Sequence, residues 1–315
     1  MTAVPGTFLD RIAVAAKNPQ PLLRVRLSPR WARFLIAAGA QPVPPDLSGG
    51  AVPKILRVQD LLGADLAGAD LAGKDLTRAD LGWAKLTGAN LTGAILPGAN
   101  LAWADLHQAI LADADLAGAN LTGTKLPGAD LSGADLRGAV LPRADLTAAE
   151  LRGARLSGAY LQQADLRWAS LPGADFTGAD LAWAKLAGVD LAGANLTEAK
   201  ISGANLTSAD LRDAKLPRAD LTDVILRYAK LPRTDLTGAN LTRADLTRAD
   251  LTGANLTEAD LTAAILAGLV WSVTTELSVT MRNALLARST EVSPGVFRVD
   301  DDGRRVTHSQ VSPAR

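Results

Sequence analysis

Residues 239–258 read Ala-Asn-Leu-Thr-Arg-Ala-Asp-Leu-Thr-Arg-Ala-Asp-Leu-Thr-Gly-Ala-Asn-Leu-Thr-Glu, four versions of one five-residue unit. The unit runs on in both directions. From Leu61 to Leu266 every fifth residue is Leu, except Phe176 and Ile201, which makes 42 consecutive repeats without an insertion; Leu56 continues the spacing. We call this Leu the centre. Two places before it the residue is Ala in nearly every repeat, so the inner side of the unit is almost invariant. One place before it Asp or Asn predominates, and two places after it half of the repeats carry Gly.

A period of five fits neither the 3.6 of a helix nor the simple alternation of a strand. Within one unit, however, Ala and Leu are two apart and share one face of a short extended segment. The Asp or Asn between them points the other way. The next two residues must then turn the chain. Gly at the second of them suits the positive φ of a type II turn. Six prolines (Pro97, Pro127, Pro142, Pro172, Pro217, Pro232) occupy the first, where the φ that the proline ring imposes is the one wanted. Each repeat is therefore one edge and one corner of a coil, with Leu and Ala inside. Non-glycine corners such as Arg143, Asp213 and Trp183 are expected to use a different turn, with negative φ.

These units, as in residues 119–123 and 239–243 with their variants, resemble the pentapeptide repeat family. The resemblance implies an all-β fold, a right-handed quadrilateral β-helix with four repeats per coil. One departure is that the centre is almost purely Leu, where many gyrase-directed members mix Phe and Leu.

A slower rhythm lies over the first. The residue before the centre departs from Asp or Asn at Ile95, Ile110, Lys125, Val140, Arg155, Ser170, Lys185, Lys200, Lys215 and Lys230, at every third repeat. A three-sided coil would stack the last four lysines of this series directly, one ladder spacing of ~4.8 Å apart. Like charges directly opposite each other are destabilising. A four-sided coil instead sets Lys125 between Asp105 and Asp145, Lys200 between Asp180 and Asp220, and Lys230 between Asp210 and Asp250. Electrostatics thus predicts the square coil independently of the family. Forty-two repeats then give about ten and a half coils, a rod roughly 50 Å long at ~4.8 Å per coil.

The repeat array divides the 315 residues into three parts: a basic N-terminal segment and linker over 1–55, the solenoid over 56–268, and a capping or dimerising segment over 269–315. The first part carries 7 basic and 2 acidic residues, with Arg24, Arg26, Arg30 and Arg33 among them, and reads as two short helical stretches. Ser28 and Pro29 suit the N-cap and first turn of the second stretch. Residues 41–50 are a Pro- and Gly-rich linker. Beyond the rod, Leu277–Ala287 reads as helix, Val292–Val299 as a strand running into a turn at Asp301-Asp302-Gly303, and 306–315 as a disordered tail.

No cysteine is present, which removes disulfides and thiolate chemistry. No apolar run approaches the ~20 residues of a membrane span, and the N-terminal stretch is interrupted by Asp10 and Arg11, unlike a signal peptide. A cytoplasmic protein without membrane contact is expected. His107 and His308, the two histidines, have no companions for a metal site or triad. The carboxylates are set by the repeat, and the recurrent glycines precede no helix that could bind phosphate. No catalytic, cofactor or metal site is expected, and no direct binding of nucleic acid.

What remains is surface. Trp83, Trp103 and Trp183 share one corner column of a four-repeat coil. They read either as a contact site, since Trp is enriched at binding hot spots, or as rings lying flat against neighbouring backbone or under an end cap. Asp60, Asp65, Asp70, Asp75 and Asp80 fall in consecutive repeats with few cations nearby. Two functions follow. The first is a rod-like protein–protein interaction scaffold whose C-terminal segment could also pair two chains. The second is implied by the resemblance: mimicry of DNA towards a type II topoisomerase, DNA gyrase, with the Asp60–Asp80 run as the acidic element. Charge argues against close mimicry, because residues 56–268 carry 20 basic and 26 acidic side chains, whereas ~50 Å of DNA carries about 30 phosphates.

Overall fold

The computed structural model describes residues 61–301. The expected N-terminal helical segment, the linker, Asp60 and the tail over 306–315 lie outside the described residues.

Each residue before a centre forms a parallel bridge with its equivalent four repeats further on, from Asp65↔Lys85 through to Asp250↔Val270. Four repeats therefore complete one turn of a solenoid, as the electrostatic argument required. Lys125 lies between Asp105 and Asp145 on its ladder, Lys200 between Asp180 and Asp220, and Lys230 between Asp210 and Asp250. From Leu71 on, the Leu and Ala side chains are buried in a single cluster, against which the partly buried Leu61, Ala64 and Ala69 of the first coil pack.

Where Asp or Asn precedes the centre, all five N–H groups of a repeat find acceptors, as residues 145–149 illustrate. The N–H of Asp145 reaches back a coil to the Thr124 carbonyl at 2.9 Å, and those of Leu146 and Ala148 reach forward to Asp165 and Arg167 at 2.7 and 2.9 Å. The N–H of Ala149 closes the turn on the Leu146 carbonyl at 3.0 Å. Only the N–H of Thr147 points away from the ladder, and the Asp145 carboxylate takes it at 3.0 Å while also accepting the Thr147 hydroxyl at 2.6 Å. This is an Asx-type turn. It explains the Asp/Asn preference one place before the centre. It also explains the prolines, since all six belong to repeats whose residue before the centre is not Asp or Asn (Ile95, Lys125, Val140, Ser170, Lys215, Lys230). Proline has no N–H, so its repeat needs no side-chain acceptor.

The corners correct one expectation. Arg143, Asp213 and Trp183 have φ of 59°, 58° and 60°, the same left-handed region as the glycines, and so do the other non-glycine corners. The corner N–H is bound into the next coil, as in Trp183 to the Ser202 carbonyl at 2.9 Å. The ladder therefore dictates the backbone, and a side chain there accepts a strain of roughly 1–2 kcal/mol.

Past the last corner the chain adds β1 (Val270–Ser272), α1 (Val279–Leu286), β2 (Ser289–Ser293) and β3 (Val296–Val299). The strands form an antiparallel sheet in the order β1-β3-β2. A helix near the expected place is present, with Ser278 as its N-cap. The single strand expected over 292–299 is instead a hairpin, because Gly295 turns the chain with φ of 70°. Residues 270–276 still follow the coil, but Asn255 bridges Glu276, one position beyond the regular step. Met281, Leu285, Trp271 and Val299 are buried in the same cluster as the rod's leucines.

Candidate interaction surface

A square coil sorts outward side chains into four faces and four corner columns, each gaining one member per coil. Trp83 and Trp103 are consecutive in one corner column and stack, with centroids 5.6 Å apart and planes at 17°. Trp103 in turn lies over Gly123, the next corner below, where an added Cβ would fall inside its ring. Trp183 belongs to the same column but is four coils from Trp103, and its ring lies over Gly203 in the same way. One ring face of Trp103 and of Trp183 thus rests on neighbouring backbone and Trp83 rests on Trp103, while Trp83, Trp103 and Trp183 remain 64%, 45% and 65% exposed.

Sequence reasoning missed Trp168, which is 66% exposed and rests over Gly188, and Tyr228, also exposed. The signal was available, because both occupy the corner position of the repeat. Sorting the corners coil by coil puts them in the column next to that of Trp83. The five exposed corner aromatics therefore flank a single face, the one carrying Asp65, Lys85, Asp105, Lys125, Asp145, Asp165, Lys185, Asn205 and Ile225. The two corners on the opposite side are glycine over most of their length, including Gly133, Gly153, Gly173 and Gly193 in one and Gly98, Gly118, Gly138, Gly158 and Gly178 in the other. The described rod has a bulky aromatic side and a bare side.

The acidic run is distributed differently. Asp65, Asp70, Asp75 and Asp80 start four separate ladders, so they form a belt around the first coil rather than a line along one side. Each also serves its own repeat. Asp75 accepts from the Thr77 N–H and hydroxyl, Asp80 from the Gly82 N–H and the Asn100 amide, and Asp70 from the Ala72 N–H and the Asn90 amide. Asp65 lies 3.4 Å from the Lys85 ammonium.

Further along, carboxylates are paired with arginines. Arg137 binds Asp135 through Nε and Nη2, the latter at 2.6 Å, with Arg155 at 3.3 Å from the same group. The Arg137 side-chain hydrogen bond holds the Asp135 carboxyl below its usual value against the opposing effect of partial burial. At the corners Arg233 binds Asp213 and Arg243 binds Asp223 across one coil, lowering both carboxyls. Among the described residues no group of His, Asp or Glu is arranged to hold a metal ion, and no helix is long and apolar enough to cross a membrane. His107 sits at the rim beside Asp105, 3.5 Å away.

Eight matches to the sequence model for pentapeptide repeats together cover residues 60–268 without a gap. Among solved structures, similarity is found to HetL, a pentapeptide repeat protein involved in heterocyst differentiation regulation from the cyanobacterium Nostoc. It is 32% identical, over 78% of this chain and 97% of HetL, with a TM-score of 0.34. A trypsin-treated form of QnrB1, a plasmid-mediated fluoroquinolone resistance protein, is 18% identical over 65% of this chain and 92% of QnrB1, with a TM-score of 0.39. A pentapeptide repeat protein of the Arabidopsis thaliana thylakoid lumen is 35% identical over 41% of this chain and 74% of its own, with a TM-score of 0.28. No curated protein matches the sequence.

Proposed function

The chain belongs to the pentapeptide repeat family, and from that premise we propose that it is a non-catalytic rod of about ten coils that presents its aromatic-edged face to a protein partner. The observation that carries this reading is the gathering of Trp83, Trp103, Trp168, Trp183 and Tyr228 on the two corners of one face. Nothing in the core requires these rings. A corner in the left-handed region is served at least as well by Gly, which occupies half of them. Interface cores are rich in aromatic residues, and a few of these carry most of the binding energy. The test is affinity capture with the intact protein and with a Trp83→Ala/Trp103→Ala/Trp183→Ala variant. A partner retained by the first and lost by the second supports the reading. Equal capture by both refutes it.

The topoisomerase reading is the second. Its support is family membership, with the belt of Asp65, Asp70, Asp75 and Asp80 as the acidic element; the pairing of later carboxylates with arginine weighs against it. Titration into a DNA gyrase supercoiling assay, with and without a quinolone, decides it. Inhibition or drug protection that disappears on charge reversal of the belt favours it. No effect at tens of micromolar, a binding free energy of about 6 kcal/mol, removes it.

A further inference from the structure

Along the aromatic-edged face the outward residues run Asp65, Lys85, Asp105, Lys125, Asp145, Asp165 and Lys185. From Asp65 to Asp145 the sign alternates at every coil. Lys125 forms no ion pair among the described residues, although a carboxylate lies above and below it. We propose that this face pairs with the same face of a second copy of the chain, the two rods running antiparallel about a two-fold axis that crosses between the Asp105 and Lys125 rungs.

In that register Lys85 opposes Asp145 of the second copy and Asp105 opposes its Lys125. Symmetry repeats both pairs, so four successive rungs meet with opposite sign. A two-fold contact is self-complementary by construction. A second copy is also the occupant whose charges recur at the same ~4.8 Å rise, which keeps every rung in step. Among the described residues no two-fold register on the other three faces opposes unlike charges over four successive rungs: one ladder carries Asp130, Glu150, Asp190 and Asp210 with a single cation, Lys230, and the other two alternate too briefly.

The corners fit the same axis. Because the axis lies across the rod, each corner column meets its own counterpart. The Trp103 ring covers Gly123 and so sits at the level of the axis, where it meets Trp103 of the second copy, with Trp83 stacked on its outer side. Four indoles gather at the centre of the contact, the place where hot spots concentrate. The opposite edge is low, with Gly88 facing Ala148 and Gln108 facing Gly128. At the rim Asp65 would face Asp165, but each already has a cation: Lys85 for the first, and Arg167 and Lys185 for the second. A register about the gap between Lys85 and Asp105 also opposes unlike charges, but among the described residues it overlaps only the rungs from Asp65 to Lys125 and leaves Asp145 outside. This pairing rests on the reading of the face as an interaction surface, with a second copy as its occupant.

The experiment is sedimentation over a concentration series of the full chain and two variants, Lys85→Glu/Lys125→Glu and Asp105→Lys/Asp145→Lys. The wild type is expected to associate reversibly to a dimer that weakens with salt. Each variant alone should associate at least about tenfold more weakly, since like charges then meet at every rung. Mixing the two variants should restore a heterodimer, which misfolded chains could not form. A wild type that stays monomeric, variants that dimerise alone as well as the wild type does, or a mixture that fails to recover would each overturn the proposal.

Discussion

The five residues of the repeat divide the work of one coil, and the division is testable. In residues 145–149 the Asp145 carboxylate is the acceptor for the one N–H that the ladder leaves outside. Asp145→Ala should cost about 1 kcal/mol, the typical value of such a hydrogen bond. Adding Thr147→Pro, which removes the stranded donor, should recover most of it in a thermal or urea melt. The two sets of positions were visible in the sequence, the prolines in one pattern and the departures from Asp or Asn in another. Their connection was not, because it depends on which N–H faces outward. Corners give a second test. Gly118 and Gly123 share a left-handed φ of 62°, but a Cβ at Gly118 meets open space whereas one at Gly123 enters the Trp103 ring. Gly118→Ala should cost only the roughly 1–2 kcal/mol of the backbone conformation. Gly123→Ala should cost more, and the excess should vanish in Gly123→Ala/Trp103→Ala, the coupling that a double-mutant cycle measures.

At the level of ladders and corners, the charges pair both within a repeat, as Asp135 with Arg137, and between coils, as Asp213 with Arg233. The carboxyls of Asp135, Asp213 and Asp223 are lowered by hydrogen bonds from Arg137, Arg233 and Arg243. A carboxyl lowered in the folded state contributes stability that is complete above its unfolded value and is lost as pH falls through the folded one. The melting temperature should therefore hold at neutral pH and begin to fall as pH drops below the ordinary carboxylate range of ~4. Asp135→Asn should lower the neutral value and flatten the acid limb, which a melting series between neutral and acid pH reads directly. Elements were unequally legible. The coil, its core and its four-sidedness followed from Leu and Ala two apart and from where lysines fall against aspartates. The sign of φ at non-glycine corners did not, because propensity favours negative φ there and only the coil-to-coil hydrogen bond overrides it. The C-terminal hairpin was misread as one strand, since the apolar run through Val296, Phe297 and Val299 masks the break at Pro294 and Gly295.

For the whole molecule, stability should be a sum over neighbouring coils rather than a property of one centre. Leu285 and Met281 of α1 are buried in the core's cluster at its C-terminal end, and we propose that they cap it. Leu285→Asp should release that cap and speed amide exchange over residues 251–266, while residues 121–200 keep their protection; a uniform loss would mean that the rod unfolds as one unit. The interaction surface belongs to this scale too. Trp83, Trp103 and Trp183 could be assigned to one column from sequence, but that Trp168 and Tyr228 border the same face emerges only when every corner is placed on the coil. All of these placements depend on four repeats making one turn, and the absence of native cysteine allows that turn to be measured cleanly. In Asn100→Cys/Asn120→Cys the two residues are bridge partners, one ladder spacing of ~4.8 Å apart, within the reach of a disulfide. In Asn100→Cys/Asp115→Cys they stand on different faces. Under mild oxidation the first variant should form an internal disulfide as a monomer and the second should not. Closure of the three-repeat pair with failure of the four-repeat pair would contradict the square coil and every surface assignment built on it.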